Sequence, residues 1–150
     1  MIGGAVRTAL MRIPLADIDI ATTLVPERAA EALKAAGVRH VINLRPPSED
    51  AGFDQAALMT TLGMDYAVVP IAGPEDLNAD SARALDAAMA AAGEGPVLIH
   101  CASANRVGAL LALRAAWLMG KPADAALALG RAGGLTRMEA VVAQLLQRGP

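Results

Sequence analysis

The chain has one cysteine among its 150 residues, and it stands where two unlike segments meet. Pro96-Val97-Leu98-Ile99-His100, an apolar run suited to a buried strand, leads into Cys101. Ala102-Ser103-Ala104-Asn105 follow, then Arg106-Val107-Gly108 open a long Ala/Leu-rich segment of helical spacing. A turn between strand and helix lets the backbone amides of residues 102–106 converge on one point, a concave anion site with the positive end of the helix dipole behind it. Such a field favours the thiolate, the nucleophilic form of cysteine. Arg106 adds a planar fork of donors for an oxyanion held above the sulfur. A lone cysteine after an apolar strand is ordinarily a small buried hydrophobe. Here strand, His100, Cys101, four small or polar residues, Arg106 and Gly108 form a composite pattern that points to an anion-binding thiol. Within it Ser103 has a hydroxyl to offer the thiolate or an incoming anion, or serves only the turn. Asn105 either pins the loop or starts the helix.

The surrounding sequence must position these groups, and its periodicity is that of an α/β layer fold. Runs at residues 38–44, 66–71 and 97–100 read as strands, with a weaker candidate at 18–20; each is too apolar to alternate cleanly, as expected of strands covered on both faces. Helices are expected from Pro26 to Gly37, over 54–62, from Asn78 to Gly93, over 106–119 and over 123–131. A last helix follows a capping box of Thr136 and Glu139 and turns Val142, Leu145 and Leu146 inward. The fold expected is therefore α/β, a central, mainly parallel sheet covered by helices. No repeat or linker divides it, so residues 1–150 read as a single domain.

Composition narrows the partners. Thirteen basic against fifteen acidic residues give a net charge of −2, without the basic stripe that nucleic-acid binding needs. One Cys and two His are too few for a zinc site, and no metal or organic cofactor is implied. Arg7 and Arg12 flank only a short apolar stretch, unlike a secretory leader, and no run of ~20 apolar residues is present to span a membrane. A soluble cytoplasmic protein is expected.

His100-Cys101, the intervening residues and Arg106 resemble the signature loop of the cysteine-phosphatase superfamily. More closely, the chain is similar to the small bacterial domain described as beta-lactamase-hydrolase-like or protein-tyrosine-phosphatase-like, which also occurs fused to persulfide-metabolising metallo-hydrolases. Gly37-Val38, the run from Val41-Ile42-Asn43-Leu44-Arg45-Pro46-Pro47 to Ser48-Glu49-Asp50, and Pro70-Ile71-Ala72-Gly73-Pro74-Glu75-Asp76-Leu77 extend the likeness over most of the chain. It implies a dual-specificity-phosphatase-like sandwich. It also implies that the His100 ring orders the loop and tunes the thiol, against the plain alternative of a satisfied core histidine. Asp76, or Glu75 beside it, would hold the general acid of a phosphatase, the alternative being a solvated turn carboxylate. Arg45 with Glu49 and Asp50 matches a family landmark but reads more simply as an ion pair fixing its loop, and His40 as a strand-end histidine.

Three departures bear on the chemistry. Four residues separate Cys101 from Arg106, where phosphatases of the superfamily place five; four is the spacing of rhodanese-type sulfurtransferases. Val107 stands where phosphatases usually carry a hydroxyl that assists the leaving cysteine. Ala104 stands where related loops often carry Gly, a substitution costing ~1–3 kcal/mol if φ is positive there. The first two favour a sulfurtransferase, and the third a loop that has lost turnover: in the sulfurtransferase, Cys101 takes sulfane sulfur from thiosulfate or a persulfide, holds it as a persulfide, and yields it to a thiol acceptor such as glutathione or to a persulfide-metabolising partner enzyme. The alternatives are a protein tyrosine or dual-specificity phosphatase working through a Cys101 phosphoenzyme, and a non-catalytic anion- or partner-binding module of the same fold.

Overall fold

Val41 and Ile42 in one strand, and Val97, Leu98 and Ile99 in another, are almost wholly removed from solvent, and these apolar runs form the middle of the sheet. The structure, a computed structural model, describes residues 9–11, 34–35, 37–48, 55–93, 96–101 and 104–150. Its elements in chain order are β1 (Ala9–Met11), β2 (His40–Asn43), α1 (Gln55–Thr61), β3 (Asp65–Val68), a 3-10 turn (Pro74–Asp76), α2 (Ala79–Ala92), β4 (Val97–His100), α3 (Asn105–Trp117), α4 (Ala123–Ala132) and α5 (Glu139–Arg148). Strand order is β1-β4-β2-β3, with β2 parallel to both β3 and β4, and β1 antiparallel to β4 at one edge. The expected α/β sandwich with a mainly parallel sheet flanked by helices is what forms.

Two strands differ from expectation. β1 was not anticipated, being three residues long and therefore too short to show a period; the candidate at 18–20 and the helix opened by Pro26 lie outside the described residues, apart from positions 34, 35 and 37. β3 is not covered on both faces: it lies at the other edge of the sheet, and Val68 is 41% exposed. Its ladder nevertheless runs on, since the amides of Val69 and Ile71 donate to the carbonyls of Asn43 and Leu44 at 2.9 Å each, which recovers the expected extent to residue 71.

Helix α2 starts at Asn78, whose side chain accepts from the Ser81 amide at 2.9 Å while the Ser81 hydroxyl accepts from the Asn78 amide at 3.1 Å, and its C-cap is Gly93. It buries Leu85 and Met89. Helix α3 is buried along almost its whole length, and Ile42, Leu44, Ile71, Leu85, Ile99, Leu110 and Leu113 join in one core. The capping box expected of Thr136 and Glu139 does not form. Helix α5 has no side-chain cap, because the Thr136 hydroxyl donates to Asn105 and the Glu139 carboxylate is taken by Arg131. Of the inward residues expected on α5, Val142 is fully buried while Leu145 and Leu146 pack partly against the core. Among the described residues no helix is long and apolar enough to cross a membrane.

Candidate active site

Parallel pairing brings the C-terminal ends of β2, β3 and β4 to one edge of the sheet, the edge at which open α/β sheets hold their ligands. Asn43 and His100 are register partners there, and the Leu44 amide donates to the His100 carbonyl at 2.8 Å. Cys101 comes next, fully buried and free of any disulfide. The His100 side chain is buried beside it. Asn43, also buried, donates from Nδ2 to the Tyr66 hydroxyl at 2.9 Å and accepts at Oδ1 from the Arg45 amide at 2.9 Å. One side chain therefore both anchors the end of β2 and turns the chain after it.

Beyond Cys101 the backbone must reverse into α3, and it does so at Ala104, which has φ 67 and ψ −11. Ala104 is the one non-glycine residue with positive φ among those described. A left-handed alanine costs roughly 1–2 kcal/mol, so its surroundings must hold it there. A Cβ on Gly134, whose own φ is 112, would lie 2.5 Å from Ala104 Cβ and 2.8 Å from its carbonyl oxygen. Only glycine fits against the loop at that point.

The first two residues of α3 point to different partners. Asn105 Oδ1 accepts from the Thr136 amide at 2.9 Å, the Thr136 hydroxyl at 3.3 Å and the Met138 amide at 3.2 Å. Asn105 is the first residue of α3, and its side chain ties that first turn to residues 136 and 138. The half-buried Arg106 donates from Nη1 to the carbonyl of Ile71 at 2.7 Å. Ile71 opens the loop that carries the acidic pair. Within that loop the Asp76 carboxylate accepts from the Ala72 amide at 2.8 Å, and the 3-10 turn closes with the amides of Asp76 and Leu77 donating to Gly73 and Pro74. Glu75 is exposed and folds back over Gly73.

Cys101, Ala104, Asn105 and Arg106 thus lie between the end of β4 and the first turn of α3, and Arg106 is tied to the start of the loop that carries Asp76. Ala102 and Ser103 lie outside the described residues, as do Glu49 and Asp50, the partners expected for Arg45. Val107 sends its side chain into the hydrophobic core. His40 starts β2 and pairs through Nδ1 with Asp65 at 3.1 Å, at the opposite end of the sheet. Asn43, Gly134, Thr136 and Met138 were not foreseen. For the last three the one sequence signal is the doublet Gly133-Gly134 directly before Leu135-Thr136, which marks a close approach without saying to what.

Residues 11–118 match the family described as beta-lactamase hydrolase-like protein, phosphatase-like domain. A beta-lactamase hydrolase-like protein of Agrobacterium fabrum (strain C58 / ATCC 33970) is 37% identical over 86 residues, which is 55% of this chain; the chain spans only a fifth (20%) of that protein's length. A solved candidate phosphatase (DUF442) from Shewanella putrefaciens CN-32 is similar at a TM-score of 0.63 and 26% identity, over 83% of each chain. P. aeruginosa TpbA, solved as a cysteine-to-serine form with phosphotyrosine, shares the fold at a TM-score of 0.62 and 21% identity, over 84% of this chain and 76% of its own. These matches overturn the sulfurtransferase expectation, together with thiosulfate, persulfide and thiol acceptor as its reactants. The spacing from Cys101 to Arg106 had been read as the size of the cradle. What the cradle serves depends as much on its neighbour, and the neighbour tied to Arg106 is a carboxylate-bearing loop, which expulsion of sulfite would not use.

Proposed function

As this chain belongs to the family of phosphatase-like domains of beta-lactamase hydrolase-like proteins, we propose that it is a cysteine-dependent phosphatase that hydrolyses phosphomonoesters of the tyrosine or dual-specificity class. The observation that carries the reading is the 2.7 Å hydrogen bond from Arg106 to the Ile71 carbonyl. It couples the arginine that would grip a phosphoryl group to the loop that would protonate its leaving group. The phosphotyrosine bound by the TpbA relative supports an aryl ester as substrate.

In the first step the Cys101 thiolate attacks phosphorus while the ester P–O bond breaks, and the departing oxygen takes the proton of the Asp76 carboxylic acid. Asp76 Oδ2 is occupied by the Ala72 amide, which leaves Oδ1 to carry that proton. Arg106 and the amides at the start of α3 stabilise the charge on the equatorial oxygens. In the second step water attacks the phosphocysteine, its proton passes to Asp76, and the P–S bond breaks to release phosphate and the thiolate. Val107 offers no hydroxyl to the departing sulfur, so this second step is the slower one and a phosphocysteine accumulates. The cytoplasm, where thiols stay reduced, is the proposed setting for the free Cys101.

Turnover of an aryl phosphate, with rapid-quench mass spectrometry of the enzyme, tests the reading. Cys101→Ser should abolish turnover, and Asp76→Asn should slow it by ~10²–10⁴-fold, the usual worth of general-acid help. Full activity in either variant, or no turnover and no phosphocysteine in the parent, would discard it.

A further inference from the structure

The three hydrogen bonds that converge on Asn105 serve no step of the chemistry above. An asparagine at a helix start ordinarily accepts from amides of its own helix. Asn105 instead spends its carbonyl oxygen on Thr136 and Met138, at sequence separations of 31 and 33, and is itself only 6% exposed. It lies between the two residues on which the anion cradle depends, the left-handed Ala104 and Arg106. A strained backbone persists only where its surroundings over-determine it, and the segment that meets Asn105 also presses Gly134 against Ala104. The two ends of that segment are clamped in turn, since Arg131 near the end of α4 holds Glu139 at the start of α5 through paired contacts of 2.8 and 3.0 Å.

We propose that Asn105 is a positioning residue for phosphoryl binding: it locks the first turn of α3 to the connection between α4 and α5, so that this connection sets the aim of Arg106 and of the amides at the start of α3. The substrate named here rests on the phosphatase reading; the brace requires only that the cradle bind an anion. Without the acceptor, Ala104 is free to relax to negative φ, which rotates the amides off the phosphoryl oxygens and unseats Arg106.

The test reads the cradle without turnover, through the rate at which Cys101 is alkylated by anionic iodoacetate relative to neutral iodoacetamide, at a temperature where circular dichroism shows the chain folded. The parent should favour iodoacetate more than free cysteine does. Asn105→Ala should lower that preference by about fivefold or more, the least that a lost buried hydrogen bond is worth. Thr136→Val, which removes only the longest of the three bonds, should lower it less. A folded Asn105→Ala chain with unchanged preference overturns the proposal even if its melting temperature falls, because that is what a purely structural role predicts. Should Asn105→Ala fail to fold, Thr136→Val decides, and an unchanged preference there overturns the proposal. A parent with strong preference but neither phosphatase turnover nor a phosphocysteine sinks the phosphatase reading and leaves the brace standing. A parent that alkylates like free cysteine sinks the brace.

Discussion

Helix α3 is gripped on two sides by different means. Toward α2 the contact is made by side chains: Leu85 and Met89 share the core with Leu110 and Leu113, and Arg114 Nε reaches Asp86 at 2.8 Å. Toward α4 the contact is backbone to backbone. A Cβ on Gly108 would stand 2.2 Å from the Leu135 amide nitrogen and 2.5 Å from the Gly130 carbonyl, and one on Gly130 would stand 2.8 Å from the Gly108 carbonyl. Side chains can change rotamer to absorb a small change in volume, whereas helix backbones in contact have nothing to yield. The tight side is also the side that continues through Gly134 and Thr136 to the base of the loop. Rigidity is therefore concentrated where the start of α3 must be aimed.

The sharpest way to break this contrast is to add one methyl group on the tight side and reshape one side chain on the soft side. Gly108→Ala should cost about 3 kcal/mol, the upper end for overpacking, and lower the melting temperature by roughly 6–12 °C for a chain of this size. Leu85→Met, of similar volume, should cost less than about 1.5 kcal/mol. Urea denaturation of the two variants checks both, and equal costs would mean that the two faces do not differ in slack. A smaller effect is expected of Asp86→Asn. The pair with Arg114 is partly exposed, so its loss should cost no more than ~1 kcal/mol and shrink further at high salt. A loss of several kcal/mol in the same titration would show that the soft side hangs on its ion pair instead of its side-chain packing.

The same contrast explains what could be read from the sequence. The strand, the cysteine and the opening of α3 are near neighbours along the chain whose types announce their geometry, so residues 97–101 and 105–108 were legible, as was Ala104 as a position of positive φ. The brace was not. It joins Asn105 to a segment more than thirty residues away, and what makes the approach possible is the absence of a side chain at Gly108, Gly130 and Gly134. A glycine in sequence records that something is close, not what. Thr136 and Glu139 were misread for a related reason: their spacing suits a capping box, but tertiary partners outbid the local ones. The sulfurtransferase reading failed similarly. It rested on a few residues in and beside the loop, while the likeness that overturns it extends over residues 11–118.

The smallest effect concerns the clamp that spans the brace. The hydrogen bond from Arg131, opposed by desolvation and reinforced to a smaller degree by the guanidinium charge, holds the Glu139 carboxyl below its ordinary value, and the same pairing raises Arg131. Arg131 stays protonated throughout the accessible range, so Glu139 alone sets the pH dependence. A carboxyl depressed in the folded state contributes stability that is present above its unfolded value and is lost as pH falls through its folded value. The melting temperature of the parent should therefore exceed that of Glu139→Gln at pH 7, and the difference should close progressively below about pH 4. Because both side chains stand partly in water, the difference should be modest and should shrink in high salt. If the clamp also steadies the brace, the haloacetate preference of Cys101 should decline slightly in the same variant, and by less than in Thr136→Val, since Glu139 acts one step further from Asn105. A difference in melting temperature that ignored pH would show that Glu139 stabilises the start of α5 without pairing, and would detach α4 from the loop it is argued to steady.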